Sequence, residues 1–561
     1  MVDLDSAFGS RTRLIMENRG LLIPGQSVAG AFRRLIDKLC QIDAELGGAD
    51  TADFGARLET LIHEGIVVLG TPLLQNVAQE ISSAAACTVL RPRCDSQLEP
   101  DSELLRTSAA LLAEATGVGF DLSELAWPDL CLPQLNAHLV AVDHELRAAN
   151  KRPAAGMATL RDDHPRIRAF LRAKRNVDFA EWRLNISMLA SDAFFQAVEV
   201  DKAWELRDCS GNVVEILSAR DLLREIAVSA HYCGDPGVLF RDRLERDNPT
   251  PQWPYVSTAP CAELAMAQGD ACHFSYINVS NLVRGDALDM ALLGEVAALL
   301  VRMLDAVTEV TVRGRSDALP LVAQKRRIGI GITGFADLLL HLHLPYDSHA
   351  TAILAAEIAE VLDFHTKRAS VALAAERGAF PAIAESRFRD RSWVARKLEG
   401  KLLRIDRDQW NALIDDIMRY GVRNASTTSM PPSGTSSEIA GISKSLEPYI
   451  SLRDRDGMLF KVFRDLKLVQ DKDDDENRYD DRLRKLPFVS LAQDIKPLFH
   501  LMVQARFQSF LDDGISKTIN LDQNCTVDAV FELFRDAYRC GVKGLTVFRD
   551  NCLVDRDDAR L

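Results

Sequence analysis

Thr258-Ala259-Pro260-Cys261-Ala262-Glu263, followed eleven residues after Cys261 by Cys272 in Ala271-Cys272-His273-Phe274-Ser275-Tyr276-Ile277-Asn278, is the stretch on which the reading of this chain turns. It sets a thiol two residues from a carboxylate, with a second thiol nearby and a third candidate far upstream at Cys87. Radical reduction of a sugar needs such a set. One cysteine carries a thiyl radical, a carboxylate takes a proton from a sugar hydroxyl, and two further thiols give up an electron pair as they become a disulfide.

Composition narrows the classes that could hold this set. A chain of 561 residues, 47% hydrophobic, can bury a large core and reads as globular. A formal net charge of -14 and a pI near 5.4 argue against a surface that coats a nucleic acid polymer, although a free nucleotide needs only a local pocket. The acidic start, Met1-Val2-Asp3-Leu4-Asp5, has no basic segment leading into an apolar one, so the expectation is a cytoplasmic protein. Leu288 to Leu304 is interrupted by Glu295 and Arg302 and reads as a buried amphipathic helix, with no membrane span. Eleven cysteines without CxxC pairs fit a reducing compartment and offer no metal-ligand set.

Hydrophobic periodicity predicts helices over 29–46 and 56–66, from Ser102 to Ala115, and near 287–308 and 350–377. Short apolar runs such as Cys87-Thr88-Val89-Leu90 and Val238-Leu239-Phe240 read as strands between them, which favours an α/β architecture. The expected division is a helical N-terminal region, 1–83, and a catalytic domain, 84–561. Gly329-Ile330-Gly331-Ile332-Thr333-Gly334 satisfies GxGxxG but follows Gln324-Lys325-Arg326-Arg327, so close helix packing is expected there and not a dinucleotide turn. Pro431-Pro432-Ser433-Gly434-Thr435-Ser436-Ser437-Glu438 suits a loop at a helix N-terminus whose amides and hydroxyls surround a phosphate. The acidic run from Asp471 to Asn477, with Asp480 and Asp481 beyond it, reads as a solvated loop.

Words in register along the chain carry a family resemblance. They include Ala86-Cys87, Thr116-Gly117-Val118-Gly119-Phe120, Asp163-His164-Pro165, Leu184-Asn185-Ile186-Ser187, Gly234-Asp235-Pro236-Gly237, Pro260-Cys261-Ala262-Glu263, Arg326-Arg327-Ile328-Gly329, Pro432-Ser433-Gly434-Thr435 and Ser516-Lys517-Thr518-Ile519-Asn520. Through them the chain resembles the cobalamin-dependent, class II ribonucleotide reductases over nearly its whole length. The resemblance implies a ten-stranded α/β barrel with the radical cysteine on a loop inside it. It implies Cys261 as that cysteine, Glu263 as the base for the 3′-hydroxyl, Cys87 and Cys272 as the thiol pair, and Ser433, Gly434, Thr435 and Ser436 as the substrate phosphate loop. Near the C-terminus Leu545-Thr546-Val547-Phe548-Arg549 reads like the cobalamin class and lacks the tyrosine pair of the iron-dependent one, so adenosylcobalamin is the implied cofactor. The implied partners are a nucleotide substrate, an external thioredoxin-like thiol reductant and a second copy in a homodimer.

The chain also departs from the family. At Ala259 the family has an asparagine that holds the sugar hydroxyls, and alanine offers no such hydrogen bond. The region Trp127 to Met157 is short, and Arg147-Ala148-Ala149-Asn150-Lys151-Arg152 stands where the family has a glycine-rich effector-reading loop. No ATP-cone domain and no paired-cysteine tail are evident. His273, Phe274 and Tyr276 replace smaller or amide residues beside the second redox cysteine, which predicts a reshaped pocket. These departures leave three expectations: reduction of a ribonucleotide, including a specialised role on a modified one; a related radical reaction such as dehydration, epimerisation or rearrangement of a nucleotide sugar; or a non-catalytic nucleotide-binding homologue.

Overall fold

The computed structural model describes residues 10–23, 25–76, 83–92, 102–125, 128–175, 177, 181–315, 317–400, 402–454, 457, 459–469 and 476–552. Ten strands share one sheet: β1 (Val67–Leu69), β2 (Cys87–Leu90), β3 (Gly117–Asp121), β4 (Gly156–Arg161), β5 (Leu184–Ala190), β6 (Gly237–Phe240), β7 (Ala271–Asn278), β8 (Ile328–Thr333), β9 (Thr518–Leu521) and β10 (Gly544–Arg549). The strand count agrees with the ten-stranded α/β expectation. Strands β2 through β6 run parallel to one another, as do β7 with β8 and β9 with β10. The two groups meet antiparallel at β2/β7 and at β6/β10. A continuous ladder does not link β8 to β9. There the extended segment Thr428–Met430 makes isolated parallel bridges from Thr428 to Ile330 and from Met430 to Ile515. It stands in place of a strand, while β1 adds to β7 from outside the two parallel groups.

Parallel strands are covered on both faces, and β2, β3, β7 and β8 are buried along their whole length. Helices form the outer layer. Val28–Glu45 starts at Ser27, whose hydroxyl accepts from the Gly30 amide, and Glu103–Ala113 starts at Ser102 in the same way. Met290–Arg315 packs against the outer side of β7 and β8 and His349–Arg377 packs on Met290–Arg315, in one core with Val28–Glu45 and Thr51–His63. A second core covers β2 to β6. A small third cluster, Cys87, Val89, Ala259, Leu264, Met266, Cys272 and Phe274, lies on the inner side. Among the described residues no helix is long and apolar enough to cross a membrane.

Two expectations need correction. The GxGxxG motif is not a helix-packing element: its first five residues lie in strand β8, and only Gly334, at φ 73°, makes the turn into helix Phe335–His341. Glycine is required at Gly329 and Gly331 because a methyl there would press on the Phe274 ring, at 2.6 Å, and on the Ser429 carbonyl, at 2.7 Å. Of the acidic run, residues 471–475 lie outside the described residues, whereas Asp480 and Asp481 belong to helix Glu476–Arg484, and Asp480 accepts from Arg453 at 3.2 Å.

Candidate active site

The sequence from Ser257 to Met266 folds into a finger that enters the sheet. Ser257–Thr258 pairs antiparallel with Ala265–Met266, and the Ala262 amide donates to the Ala259 carbonyl (2.9 Å) to close a turn with Pro260 and Cys261 at its centre. Ala262 takes φ 64°, a left-handed conformation that costs a non-glycine residue about 1–2 kcal/mol. That kink falls between Cys261 and Glu263 at the tip. Asn185 Nδ2 donates to the Pro260 carbonyl (3.1 Å), and the Ser429 hydroxyl donates to the Glu263 carbonyl (3.3 Å).

Beneath the finger, Cys87 on β2 and Cys272 on β7 are direct register partners across the antiparallel seam. Gly117 on β3 adjoins Cys87, and a methyl placed on it would reach Cys87 Sγ at 3.3 Å and the Pro260 ring at 2.8 Å. The finger therefore rests on β3, beside the strand that carries the first thiol. Cys87 and Cys272 are buried, and Cys261 is half-buried.

Electrostatics separate the roles these groups can take. Burial, with a smaller contribution from Asp513, pushes the Glu263 carboxyl up to about 7, against the pull of Arg152. Among the described residues its Oε2 has no hydrogen-bond partner, nor has Thr258 Oγ1 on the same finger. Glu263 can thus accept a proton near neutral pH. Burial and then the Glu263 charge push the Cys261 thiol up to about 12, and burial raises Cys87 and Cys272 as well. All three stay protonated at neutral pH, which makes them hydrogen donors and poor thiolate nucleophiles.

Alternation along β7 sorts the residues beside Cys272. Phe274 and Tyr276 share its inward face, and the Tyr276 hydroxyl donates to the Pro432 carbonyl (2.9 Å). His273 does not reshape the pocket: it points outward between Thr308 (3.2 Å) and Thr311 (2.9 Å) of the helix behind, where burial drops its pKa to about 4 and keeps it neutral. Ser433 precedes helix Gly434–Ala440, and its hydroxyl is engaged by the Ser445 amide (2.7 Å), by Thr333 (3.0 Å) and by Ser437. Ser436 Oγ lies 3.4 Å from Thr71 Oγ1, which leaves Gly434 and Thr435 as the more open members of the loop.

Four residues contribute to the site beyond those the sequence assigns to it. Arg152, in the segment that stands where the family has its effector-reading loop, acts by its charge on Cys87, Cys261 and Glu263. Asn185 is the one exposed residue of β5, and a lone amide within an apolar strand was the available signal. Gly117 and Gly119 stand in one of the words of the family resemblance, and the structure adds their task, which is to leave room for Pro260 and the Thr258 carbonyl of the finger.

A profile for the ribonucleotide reductase barrel domain matches residues 85–548. The chain belongs to the ribonucleotide reductase family. Over 93% of its length it is 27% identical to a protein of Thermoplasma acidophilum named vitamin B12-dependent ribonucleoside-diphosphate reductase, covering 68% of that protein. Over 88% of its length it is 29% identical to a protein of the same name from Mycobacterium tuberculosis, covering 71% of it. A vitamin B12-dependent ribonucleotide reductase of Streptomyces clavuligerus is 23% identical over 72% of this chain and 49% of that protein. The match to the reductase barrel spans β2 through most of β10, and so takes in the finger, both strand cysteines and the loop at Ser433.

Proposed function

We propose that this reductase converts a ribonucleotide to its 2′-deoxyribonucleotide by a thiyl radical on Cys261, with Cys87 and Cys272 becoming a disulfide and one water released. The observation that carries this reading is the placement of Cys87 opposite Cys272 beneath the finger. Directly opposed residues of an antiparallel ladder have Cα atoms about 4.5–5.5 Å apart. A disulfide spans about 4.4–6.8 Å, so the pair can close without moving the backbone. Cys261 takes the hydrogen from C3′, Glu263 takes the 3′-hydroxyl proton as the 2′-oxygen leaves, and the two strand thiols supply two electrons and two protons. Ser433, Gly434, Thr435 and Ser436 hold the substrate phosphates.

Adenosylcobalamin would act at Cys261, the most accessible thiol of the three. Cys261 is the half-buried thiol of the three, so a bulky radical donor can reach it while Cys87 and Cys272 stay covered. When bound, the cofactor supplies the radical that removes hydrogen from Cys261 Sγ. Eight of the described cysteines, Cys87, Cys261 and Cys272 among them, are free thiols, which suits a reducing, cytoplasmic setting, and an external dithiol then restores the pair after each turnover.

A second reading keeps the radical but changes the product. Ala259 is fully buried at the base of the finger turn and offers the departing oxygen no hydrogen bond. Anaerobic incubation with adenosylcobalamin, dithiothreitol and a nucleotide panel led by ribonucleoside diphosphates, with modified nucleotides included, separates the two. Deoxynucleotide together with a cob(II)alamin–thiyl signal supports reduction, and its loss in Cys261→Ser assigns the radical site. A radical signal with a different sugar product supports the second reading. Tight nucleotide binding with neither signal sinks both and points to a non-catalytic homologue.

A further inference from the structure

The three cysteines stand on separate pieces of chain, and one side chain bonds to the supports of all three. Arg327, just before β8, is fully buried, at 0% exposure. Its guanidinium donates to the Ala265 carbonyl on the return strand of the finger (2.9 Å), to the Asp270 carboxylate (2.8 Å), to Asp513 (2.5 Å) and to the Ser426 hydroxyl (3.2 Å). Ala265 lies two residues beyond Glu263. Asp270 lies two residues before Cys272, and its carboxylate is also held by Lys325 (2.6 Å). The Asp270 carbonyl accepts from the hydroxyl of Thr88, the neighbour of Cys87 (2.7 Å). Asp513 precedes Gly514, where a methyl would come within 3.1 Å of both the Ala262 and the Glu263 carbonyl oxygens.

Stability alone does not account for so many charges in the interior. Ions taken out of water lose hydration that their mutual attraction only roughly repays, and an apolar cluster of equal volume often does as well or better. What an apolar cluster cannot do is bond a carbonyl of the finger and a carboxylate at the foot of β7 at fixed angles. A guanidinium can, because its five donors lie in one rigid plane; a lysine offers a single point of charge.

We propose that Arg327 is a positioning residue that holds the Cys261 finger, the Cys272 strand and, through Asp270, the Cys87 strand in one mutual geometry, with Asp513 as its anchor beneath the finger. This rests on the reductase reading above. Asp513 adds an electrostatic link: its Oδ2 is buried without a hydrogen-bond partner among the described residues, and its charge favours the protonated form of Glu263. The other charged or titratable groups coupled to Glu263 are Arg152, Cys261, Cys87 and Tyr276.

The test compares the full-length parent with Arg327→Lys and Asp513→Asn, each normalised to folded protein. Misplacing reacting groups by about an ångström costs up to about a hundredfold, so Arg327→Lys should lower kcat by about 10- to 100-fold while KM stays within about threefold. Asp513→Asn removes a negative charge from beside Glu263, so the acid limb of kcat should move to lower pH. A third readout needs no turnover: the rate at which diamide closes the Cys87–Cys272 disulfide, which should fall in Arg327→Lys. Should Arg327→Lys fail to fold, the Asp513→Asn pH profile and diamide rate decide. Parent-like kcat, acid limb and diamide rate in an active enzyme overturn the positioning role alone. A parent that forms no deoxynucleotide overturns the reductase reading, and the diamide rates then decide whether Arg327 still sets the thiol geometry.

Discussion

The finger at Ser257–Met266 and the loop at Ser433–Ala440 both face the interior, and they treat their polar groups in opposite ways. On the finger, Thr258 Oγ1 and Glu263 Oε2 are buried without a hydrogen-bond partner among the described residues. On the loop, the Ser433 hydroxyl is shared among Ser445, Thr333 and Ser437. A buried polar atom left unpaired costs about 1–3 kcal/mol, so the finger is held in a state that only an arriving partner relieves. The loop is already satisfied internally and has main-chain amides near Gly434 and Thr435 to offer. Substitutions on the finger should therefore damage turnover, and substitutions around the loop should weaken binding.

Glu263→Gln is the harshest test of that contrast. Losing a general base should lower kcat by about 10²- to 10⁴-fold with KM little changed. In the parent, kcat should rise as pH passes about 7, where the carboxyl ionises. Stability should move the other way. The folded carboxyl holds its proton up to about 7, while the unfolded one releases it near 4.5, so the folded state binds more protons between those values. Stability is then present in full below pH 4.5 and falls as pH rises toward 7. Thermal unfolding of parent and Glu263→Gln across pH 4 to 8 should give curves that diverge through this window, with the variant the more stable above it. Parallel curves would remove the case for a buried, proton-holding carboxyl.

A glycine pair gives a smaller effect and a built-in control. On β3, a methyl at Gly119 would collide with the Thr258 carbonyl, whereas at Gly434 it would meet open space. Gly119→Ala should displace the finger, cost about 1–3 kcal/mol of stability and reduce kcat. At Gly434 the φ of 20° adds backbone strain to Gly434→Ala, so the melting temperature should fall, but by less than in Gly119→Ala, while KM rises because the methyl occupies room a phosphate needs. Equal effects of the two on kcat would erase the distinction between finger and loop.

The sequence and the structure agree best where local pattern is strong. Helices predicted over 29–46 and 350–377 form at Val28–Glu45 and His349–Arg377, because amphipathic spacing and serine caps act within a few residues. Cys87 is a harder case. It stands 185 positions before Cys272, and only the family resemblance paired them; the physical link is the β2/β7 register, which no spacing encodes. Arg152, Arg327 and Asp513 were not legible as site residues, since each acts through a fold that brings distant chain together. The facing of His273 was legible but missed: with Cys272 inward, alternation alone sends His273 out and Tyr276 in.

Tyr276 gives the smallest and most selective test, because it joins the two regions. It shares the inward face of β7 with Cys272, and its hydroxyl donates to the carbonyl of Pro432, one residue before Ser433. Burial raises its pKa, with the charge of Glu263 adding to that rise, so it is a neutral phenol in reach of both regions. Tyr276→Phe keeps the ring and removes only the donor. A hydrogen bond of this kind contributes about 0.5–1.5 kcal/mol, so KM should rise by about two- to tenfold as the Pro432 end of the loop loosens. Because the finger keeps its contacts to Asn185, Ser429 and Arg327, kcat and the position of its acid limb should not move. A fall in kcat with unchanged KM would instead place the Tyr276 hydroxyl with the reacting groups, and would make the finger and the loop one site at this residue.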